Sequence, residues 1–329
     1  MILDLFCGAG GFGVGFKKAG FTVGLANDIW KAAAETYKHN NPSVPFIEGD
    51  IRNLTEESVL PHFPNGVELI IGGPPCQGFS LQNGKRDAED PRNFLFLEYA
   101  RILGFAKPKM FIMENVKNMA SMKTIHGDKF VDWMLKTFDE AGYDTKFKVL
   151  NSKDYDVPQA RQRVIIVGTR KDLPNTWDYP APVTAIPITL WEAISPSSDG
   201  LPNDFYPVMS GKQQERLDFL QIGQCNLDLP DHLRTKARFT NQYKKLYPDR
   251  PSPTVTNWRS THTQHPYEPR LLKVREIARI QSFPDNYEFK GSINSQYQQL
   301  GNAVPVNLAY HLALQTKNWL STIKEPVTA

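Results

Sequence analysis

The first 170 residues of the chain alternate short apolar segments with amphipathic segments at helical spacing. Six apolar segments have the length and composition of strands: 2–6, 22–26, 67–71, 110–113, 145–150 and 164–167. Four segments have apolar residues at helical spacing: 11–19, 29–39, 94–105 and 129–141. Strands that alternate with helices indicate βαβ units, and hence an α/β fold with a mostly parallel, doubly wound sheet. Such sheets bind ligands at the carboxyl ends of their strands, so the functional residues are expected there.

The composition changes near Pro174. Thirteen of the chain's 25 prolines lie between Pro174 and Pro269, where few segments are periodic. Because proline lacks the amide hydrogen that helices and sheets require, this part is predicted to be a second, loop-rich domain. Periodicity returns with a short helix at 274–280. A sharp turn at Gly301 and Asn302 is expected before a terminal helix at 304–320.

The chain contains three cysteines, Cys7, Cys76 and Cys225, and no run of about 18 apolar residues that could span a membrane. So few cysteines, in an odd number, argue against a disulfide framework, and their spacing is not that of zinc ligands, so no metal is expected. Each cysteine is then either a small buried apolar residue or a reactive thiol. The N-terminus enters a strand with no basic segment before it, which argues against a signal peptide. The chain is therefore expected to be cytoplasmic.

A glycine-rich loop follows the first predicted strand. Gly8, Gly10 and Gly13 fit the spacing G-x-G-x-x-G, and Asp28 follows Gly8 by twenty residues at the end of the second strand. Glycines let the backbone approach a ligand closely, and an acidic side chain at this position can bind ribose hydroxyls. Asp50 follows a third strand, where it could bind the amino group of adenine. The loop predicts a site for an adenosine-bearing cofactor but does not distinguish NAD from S-adenosylmethionine, so an NAD-dependent oxidoreductase stays open.

Reactive and charged side chains lie close to the ends of the later strands. Cys76 follows the strand predicted at 67–71, in the segment Gly-Gly-Pro-Pro-Cys-Gln-Gly-Phe-Ser, where two prolines stiffen the backbone. Glu114 directly follows the fourth strand, and Arg161 and Arg163 precede the sixth. Each of them alone is typical of an ordinary loop. Together they place a thiol, a carboxyl group and guanidinium groups at the ends or edges of neighbouring strands.

The chain closely resembles the DNA cytosine-5 methyltransferase family, because the motifs of that family occur here in order. The matching segments are the cofactor loop at 4–16, Asn27-Asp28, Gly49-Asp50-Ile51, Pro74-Pro75-Cys76-Gln77, Glu114-Asn115-Val116, the Gln-x-Arg-x-Arg segment at 159–163, the segment 275–284 and Gln299-Leu300-Gly301-Asn302-Ala303-Val304. The resemblance covers about residues 1–170 and 265–320, and Pro-Pro-Cys-Gln followed by Gly-Asn-x-Val at this spacing is highly specific. Ile29 departs from the pattern, because some members have an aromatic residue there against adenine.

The resemblance implies a Rossmann-like, S-adenosylmethionine-dependent methyltransferase sheet with a second, smaller, loop-rich target-recognition domain. It divides the chain into a catalytic and cofactor-binding domain at 1–173, a target-recognition domain at 174–267 and a return to the catalytic domain at 268–329. The implied catalytic residues are Cys76, Glu114, Arg161 and Arg163, and Cys76 would attack a cytosine flipped out of the duplex. The implied cofactor contacts are Asp4, Phe6, Gly8, Gly10, Gly11, Asp28, Asp50, Ile51, Pro74, Asn302, Ala303 and Val304.

A basic stretch lies between Asp231 and Arg275, with ten lysines and arginines against three acidic residues. A basic surface that also carries aromatic residues suits a polyanion such as double-stranded DNA, although a solvated basic face has the same composition. The polar segment 80–92 is expected to close over DNA. The residues expected to contact DNA are Ser80, Lys85, Arg86, Arg92, Arg234, Arg238, Asn257 and Arg259.

Two alternatives remain within the resemblance. One branch of the family methylates tRNA and carries Cys-Phe-Thr in its variable region, whereas Cys225 of this chain lies in Gln-Cys-Asn-Leu. A non-catalytic DNA-binding relative would not need Cys76, Glu114 and Arg163, which are all present. The chain starts close to the cofactor loop, which is typical of a compact bacterial or phage enzyme. By analogy we expect a monomer that forms the protective half of a restriction–modification system, with a cognate restriction endonuclease as its functional partner.

Overall fold

The computed structural model of the chain describes residues 1–75, 94–122 and 127–323. Internal packing divides the chain into two units. The first unit contains Met1–Asn151, Gln162–Pro182 and Val306–Ala329, and the second contains Ser152–Arg161 and Val183–Pro305. Because these units follow packing rather than activity, the functional division into 1–173, 174–267 and 268–329 stays a prediction.

The strands arise from the short apolar segments identified in the sequence. They are β1 (Ile2–Leu5), β2 (Val23–Asp28), β3 (Phe46–Glu48), β4 (Leu69–Gly72), β5 (Met110–Val116), β6 (Tyr143–Asn151), β7 (Gln159–Ala160), β8 (Gln162–Arg170) and β9 (Ser252–Pro253). Within the described residues, seven strands of the first unit form one sheet in the order β3-β2-β1-β4-β5-β8-β6. The strands from β3 to β5 are parallel, whereas β8 is antiparallel to β5 and to β6. The predicted α/β class with a mostly parallel sheet is confirmed.

The helices connect and cover these strands. They are α1 (Gly11–Lys18), α2 (Lys31–Asn40), α3 (Glu56–Val59), α4 (Leu95–Ala106), α5 (Phe130–Glu140), α6 (Leu190–Ile194), α7 (Lys212–Phe219), α8 (Trp258–Thr261), α9 (Val274–Ile280), α10 (Ile293–Asn302) and α11 (Val306–Thr322). Short 3-10 turns lie at Ile51–Asn53, Leu60–His62, Lys117–Ser121, Ser152–Asp154 and Asn226–Asp228. None of the helices in the described part of the chain is long and apolar enough to cross a membrane.

The main core of the first unit is rich in aromatic residues. Phe111 of β5 lies between Tyr143 of β6 and Phe138 of α5, with ring centroids 5.4 and 4.8 Å away. Leu3 and Leu5 of β1 belong to the same buried cluster. Since alternate residues of a strand point to opposite faces, the side chain of the intervening Asp4 lies on the other face of the sheet. The core thus fixes the strand that leads into the glycine loop.

Two local expectations from the sequence are wrong. The fourth predicted strand ends at Met113, whereas β5 continues to Val116 because β8 pairs with it along its whole length, so Glu114 lies inside a strand. Gly301 and Asn302 form the last turn of α10 instead of a sharp turn. A Cβ on Gly301 would lie 2.8 Å from the carbonyl carbon of Thr256, so this glycine permits a close approach between two segments.

The second unit has its own small core and little regular structure. One of its buried apolar clusters consists of Leu217, Leu220, Leu229, Leu233, Tyr243 and Leu271. Arg275 is fully buried, and its guanidinium donates to the carbonyl oxygens of Pro202, Pro284 and Tyr287 at 2.9, 3.0 and 2.5 Å. Because irregular segments lack ladder partners, buried side-chain donors of this kind satisfy the backbone carbonyls instead.

Gly15→Ala is expected to lower the free energy of unfolding by about 1–3 kcal/mol. The new Cβ would lie 2.5 Å from both the Cβ of Ala309 and the carbonyl oxygen of Val306 on α11. Gly104→Ala is the matched control, because Gly104 is exposed on α4 and a Cβ there meets no atom within 4 Å. Alanine at this position should raise the free energy of unfolding by about 0.5–1 kcal/mol. Urea denaturation compares the two, and equal stability would contradict the packing of α1 against α11.

Candidate active site

The glycine loop is held by the end of β2. The amide of Cys7 donates to the carbonyl oxygen of Asn27 at 3.1 Å, and the amide of Gly8 donates to Oδ2 of Asp28 at 2.7 Å. Gly8 and Gly10 have φ values of 54° and 89°, a left-handed region that glycine adopts without strain. Phe6 has φ 51°, which is rare for a residue with a side chain and is typical of functional loops. The two hydrogen bonds therefore fix the start of the loop to the end of β2.

Open space lies beside this loop at the carboxyl ends of the strands. A Cβ on Gly8 or on Gly49 would meet no atom within 4 Å. Gly10 is the N-cap of α1, which begins at Gly11, and it has no side chain with which to cap the first amides of the helix. A small polar ligand can approach the backbone here, as the sequence pattern predicts.

Asp28 is positioned to bind hydroxyl groups. Its Oδ1 accepts a hydrogen bond from the amide of Trp30 at 2.8 Å and its Oδ2 accepts from Gly8. Burial raises the pKa of Asp28, and the hydrogen bonds from these amides act in the opposite direction. Each carboxylate oxygen accepts one amide and keeps lone-pair capacity for a ligand donor. The side chain of the neighbouring Ile29 is 65% exposed, so it can cover a ligand next to Asp28.

Asp50 and Ile51 directly follow Gly49 after β3. The Asp50 carboxylate accepts hydrogen bonds from the side chain of Arg52, which lower its pKa, and from the amide of the same residue. The carbonyl oxygen of Ile51 accepts from Arg101 at 3.0 Å, while the Ile51 side chain is buried. Both residues are thus fixed beside the open space, and Asp50 is ionised and available to a ligand amino group.

Asp4 is the buried acid of the site. Its side chain is fully buried, and neither carboxyl oxygen has a hydrogen-bond donor among the described residues. Burial and the nearby charge of Asp28 raise the pKa of Asp4 well above its usual range. A Cβ on Gly13 would lie 2.6 Å from Oδ2 of Asp4, so a glycine in α1 makes room for this carboxyl group. The structure places Asp4 beneath α1, next to the glycine loop.

Asp4→Asn is expected to change how stability depends on pH. In wild type, burial raises the pKa of Asp4, so the folded protein keeps the Asp4 proton to higher pH than the unfolded chain does. The stability of wild type therefore falls as pH rises above about 4. The variant lacks this titration, and its free energy of unfolding should therefore increase relative to wild type as pH rises. Urea denaturation at several values between about pH 4 and 8 measures the difference. Parallel stability profiles for the two proteins would contradict the raised pKa.

Asn115 connects β5 to the segment that leads to Cys76. Its Nδ2 donates to the carbonyl oxygen of Pro74 at 3.2 Å, and both residues are buried. The carboxyl group of Glu114 lies next to the same segment, because its Oε2 would be 3.5 Å from a Cβ built on Gly73. Cys76 itself lies outside the described residues, whereas the two residues before it are described and fix where the chain leaves β4.

Glu114 and Arg163 form an ion pair across β5 and β8. Nε of Arg163 lies 2.8 Å from Oε1 of Glu114, and the two side chains are only 13% and 11% exposed. Arg163 is opposite Val116 in the strand register, so the pair is fixed by the sheet. The contact is one of opposite charges at short distance, since Oε1 of Glu114 accepts no hydrogen bond among the described residues. The structure thus brings together two of the predicted catalytic residues.

Arg161 and the residues Asn302, Ala303 and Val304 belong to the second unit. Arg161 is buried, and its guanidinium donates to the carbonyl oxygens of Val255 and Gly301 at 2.8 and 3.0 Å. Asn302 is exposed and accepts a hydrogen bond from Gln298 at 2.7 Å, whereas Ala303 and Val304 are buried. Arg161 thus holds the start of the Gly301–Val304 segment through the backbone.

The predicted DNA-contacting residues have different environments. Ser80, Lys85, Arg86 and Arg92 lie outside the described residues. Arg234 donates to the carbonyl oxygen of Leu229 and pairs with Asp231, and Asn257 caps α8 and donates to Gln298. Arg259 is half-buried, and Arg238 is exposed. Arg238 is thus the most available of the four described side chains.

The two described cysteines, Cys7 and Cys225, are free and buried. Burial, together with the charges of Asp4 and Asp28, raises the pKa of the Cys7 thiol, which disfavours the reactive thiolate. Within the described ranges, no three His, Cys, Asp or Glu side chains are grouped as metal ligands. Cys7 and Cys225 therefore have the environment of small buried apolar residues.

Sequence comparison gives a consistent result over almost the whole chain. The family model for C-5 cytosine-specific DNA methylases matches residues 1–318. The type II methyltransferase M.DdeI of Desulfomicrobium norvegicum is 37% identical, with 95% of this chain and 87% of that protein covered. M.NgoPII of Neisseria gonorrhoeae is 36% identical, with 97% and 96% covered.

Solved structures support the same fold. A DNA modification methyltransferase encoded within an E. coli prophage has a TM-score of 0.78 at 24% identity, with 97% of this chain and 99% of that chain covered. A DNMT2 variant of Spodoptera frugiperda has a TM-score of 0.68 at 21% identity, with the same coverage. At these identities the likeness shows the fold, whereas the family model and the curated relatives identify the chemistry. The chain belongs to the C-5 cytosine-specific DNA methylase family and is a DNA (cytosine-5) methyltransferase.

Proposed function

We propose that the chain transfers a methyl group from S-adenosylmethionine to carbon 5 of cytosine within a specific short sequence of double-stranded DNA. The reaction proceeds through a covalent bond between Cys76 and the cytosine ring. The observation that carries this proposal is the Glu114–Arg163 ion pair, which lies against the Gly73–Pro74 segment that leads to Cys76. A carboxyl group and a guanidinium beside a thiol are the groups that this reaction needs.

The residues at the ends of β1, β2 and β3 fit S-adenosylmethionine. Asp28 can accept the ribose hydroxyls, and Asp50 with the backbone of Ile51 can bind adenine. The glycines of the loop leave room for the methionine part, next to Phe6 and Pro74, and the ring of Phe6 can contact the sulfonium. When bound, the cofactor supplies an electrophilic methyl group. From the family resemblance, Asn302, Ala303 and Val304 are further proposed cofactor contacts, and Asp4, Gly10 and Gly11 are proposed to support the loop.

Cys76 supplies the nucleophile that makes carbon 5 of cytosine reactive. Its thiolate adds to carbon 6 of cytosine and forms a C–S bond, which moves an electron pair toward carbon 5. With S-adenosylmethionine bound, carbon 5 would take the methyl group, and the electron pair of the broken bond would stay on the cofactor sulfur. Water removes the proton from carbon 5, the C–S bond breaks, and the thiolate is restored.

Glu114 and Arg163 stabilise the ring during this addition. Glu114 in its acid form donates its proton to nitrogen 3, where negative charge develops, and takes the proton back when the C–S bond breaks. Arg163 then turns to the O2 oxygen of cytosine and also favours the thiolate electrostatically. The incoming base thus replaces the carboxylate–guanidinium contact between Glu114 and Arg163 with two contacts of its own. Arg161 is proposed to position the segment around Gly301 rather than to touch the base.

The target cytosine must leave the base stack, because a thiol cannot reach carbon 6 inside a duplex. The segment 80–92 is proposed to close over the flipped base, and the domain at 174–267 to recognise the site. By analogy with the type II relatives, we propose a monomer in the cytoplasm that protects host DNA from a cognate restriction endonuclease.

Transfer of a labelled methyl group tests this function. Purified chain, S-adenosylmethionine with a labelled methyl group and duplex DNA should give labelled 5-methyldeoxycytidine after digestion to nucleosides, and tRNA treated in parallel should stay unlabelled. S-adenosylhomocysteine, but not NAD, should raise the Tm of the protein. Label in tRNA alone, or no label in DNA despite a raised Tm, would contradict the proposal.

A further inference from the structure

A buried asparagine clamps one loop of the second unit. Nδ2 of Asn226 donates to the carbonyl oxygens of Thr235 and Ala237 at 3.3 and 2.7 Å, and its Oδ1 accepts from the amide of Thr235 at 2.9 Å. Asn226 is fully buried, and its own amide donates to the carbonyl oxygen of Gln242 at 2.8 Å. Both ends of the segment 235–242, here called the clamped loop, are thus fixed to the same residue.

The clamped loop presents a cation and an aromatic ring to solvent. Lys236 and Arg238 are exposed, and the side chain of Phe239 is 71% exposed. Arg238 has no hydrogen-bond or ion-pair partner within the described residues, in contrast to Arg234, which is engaged by Leu229 and Asp231. The loop backbone is held by Asn226, while the side chain of Arg238 has no partner among the described residues.

An exposed phenylalanine next to exposed cations, as Phe239 is next to Arg238, is typical of a surface that binds a ligand with both charge and apolar area. Water solvates a phenyl ring poorly, so this ring gains from any contact that covers it. The surrounding stretch is strongly basic, with ten lysines and arginines against three acidic residues between Asp231 and Arg275. This charge favours a polyanion over a second protein surface. In DNA, the apolar surfaces that a side chain can reach are the methyl group of thymine and the face of an unstacked base.

We infer that the clamped loop is a preformed DNA-reading element, in which Phe239 covers an apolar surface of a base in the recognition site and Arg238 contacts the adjacent base edge or phosphate. The inference rests on the proposed function. The clamp matters because a loop that is already ordered loses less conformational freedom on binding. Phe239 is then a residue that determines specificity, and Arg234 supports the loop's surroundings without contacting DNA.

The test compares Phe239→Ala with wild type and with Val208→Ala. Val208 is 87% exposed in the same unit but lies outside the basic stretch, so it is the matched control. The substrates are a duplex with the methylated context and duplexes that differ from it at one base pair. Phe239→Ala is expected to lower the discrimination in kcat/KM at one base pair by about tenfold, within the range of a single mismatch, while Val208→Ala leaves it unchanged.

Two further arms identify the contact and check the clamp. If the Phe239 ring covers the methyl group of thymine, replacing thymine by uracil in the site should lower kcat/KM for wild type but not for Phe239→Ala. An equal change in kcat/KM for both proteins indicates that the ring covers the face of a base. Arg238→Met should weaken DNA binding about tenfold, and Arg234→Met should leave it nearly unchanged. Discrimination that is the same in Phe239→Ala and wild type would overturn the inference and leave DNA methylation standing. Wild type that methylates no DNA would overturn the proposed function itself.

Discussion

Replacing Cys76 with serine is expected to reduce methyl transfer to DNA by at least about a thousandfold, because a serine hydroxyl is a much weaker nucleophile than a thiolate. The cofactor contacts proposed at the ends of β1 to β3 do not involve this side chain. S-adenosylhomocysteine should therefore raise the Tm of Cys76→Ser and wild type equally. Single-turnover transfer of a labelled methyl group to duplex DNA measures the effect.

A substituted substrate separates loss of the nucleophile from loss of binding. With fluorine in place of the hydrogen on carbon 5, the final proton removal is blocked, so the adduct with wild type should persist through denaturing electrophoresis. Cys76→Ser should give no such adduct while still binding the duplex. Full turnover by the variant, or a persistent adduct formed without Cys76, would contradict the proposed covalent step.

Glu114→Gln is expected to lower kcat by about 10²- to 10⁴-fold, with a much smaller change in KM for DNA. Glutamine keeps the size of the side chain but cannot deliver a proton to nitrogen 3 of cytosine. It also leaves Arg163 without the carboxylate that lies 2.8 Å from its Nε. Steady-state kinetics with DNA as the varied substrate separate the two parameters.

The matched control for Glu114→Gln lies on the same pair of strands. Gln162 of β8 is exposed and accepts a hydrogen bond from Lys117 at 2.7 Å, next to the Glu114–Arg163 pair but on the surface. Gln162→Ala should change kcat by less than about threefold, since exposed contacts of this kind contribute little. A Glu114→Gln variant that is as active as Gln162→Ala would remove the assigned role of the carboxyl group.

The sequence is sufficient to predict the elements whose patterns are local. The apolar runs that become β1, β2 and β4 are visible in the sequence, and the glycine loop and Asp28 follow from spacing alone. The pairing of β5 with β8 depends on strand partners distant in sequence, so the extension of β5 to Val116 carries no local signal. Gly301 was expected to mark a turn, whereas its role is to allow Thr256 to approach a helix.

The sequence identifies most of the site residues, but it does not show which side chains contact each other. Glu114 and Arg163 were both identified by motif, but the ion pair between them depends on strand register. Asn115 lies in a recognised motif, yet only the fold reveals its hydrogen bond to Pro74. Asn226 has no sequence signal at all, because its three contacts to the clamped loop are made by an ordinary amide in an irregular segment.

The most direct measurement is bisulfite sequencing of the whole genome of a host that lacks cytosine methylation, after expression of wild type or Cys76→Ser. Protected cytosines in one short sequence context with wild type, and none with Cys76→Ser, are the predicted result. That result would establish the activity, the nucleophile and the recognition sequence in one experiment. Genomes without protected cytosines, from cells that contain soluble wild-type protein able to bind S-adenosylmethionine, would contradict site-specific methylation of DNA by this chain.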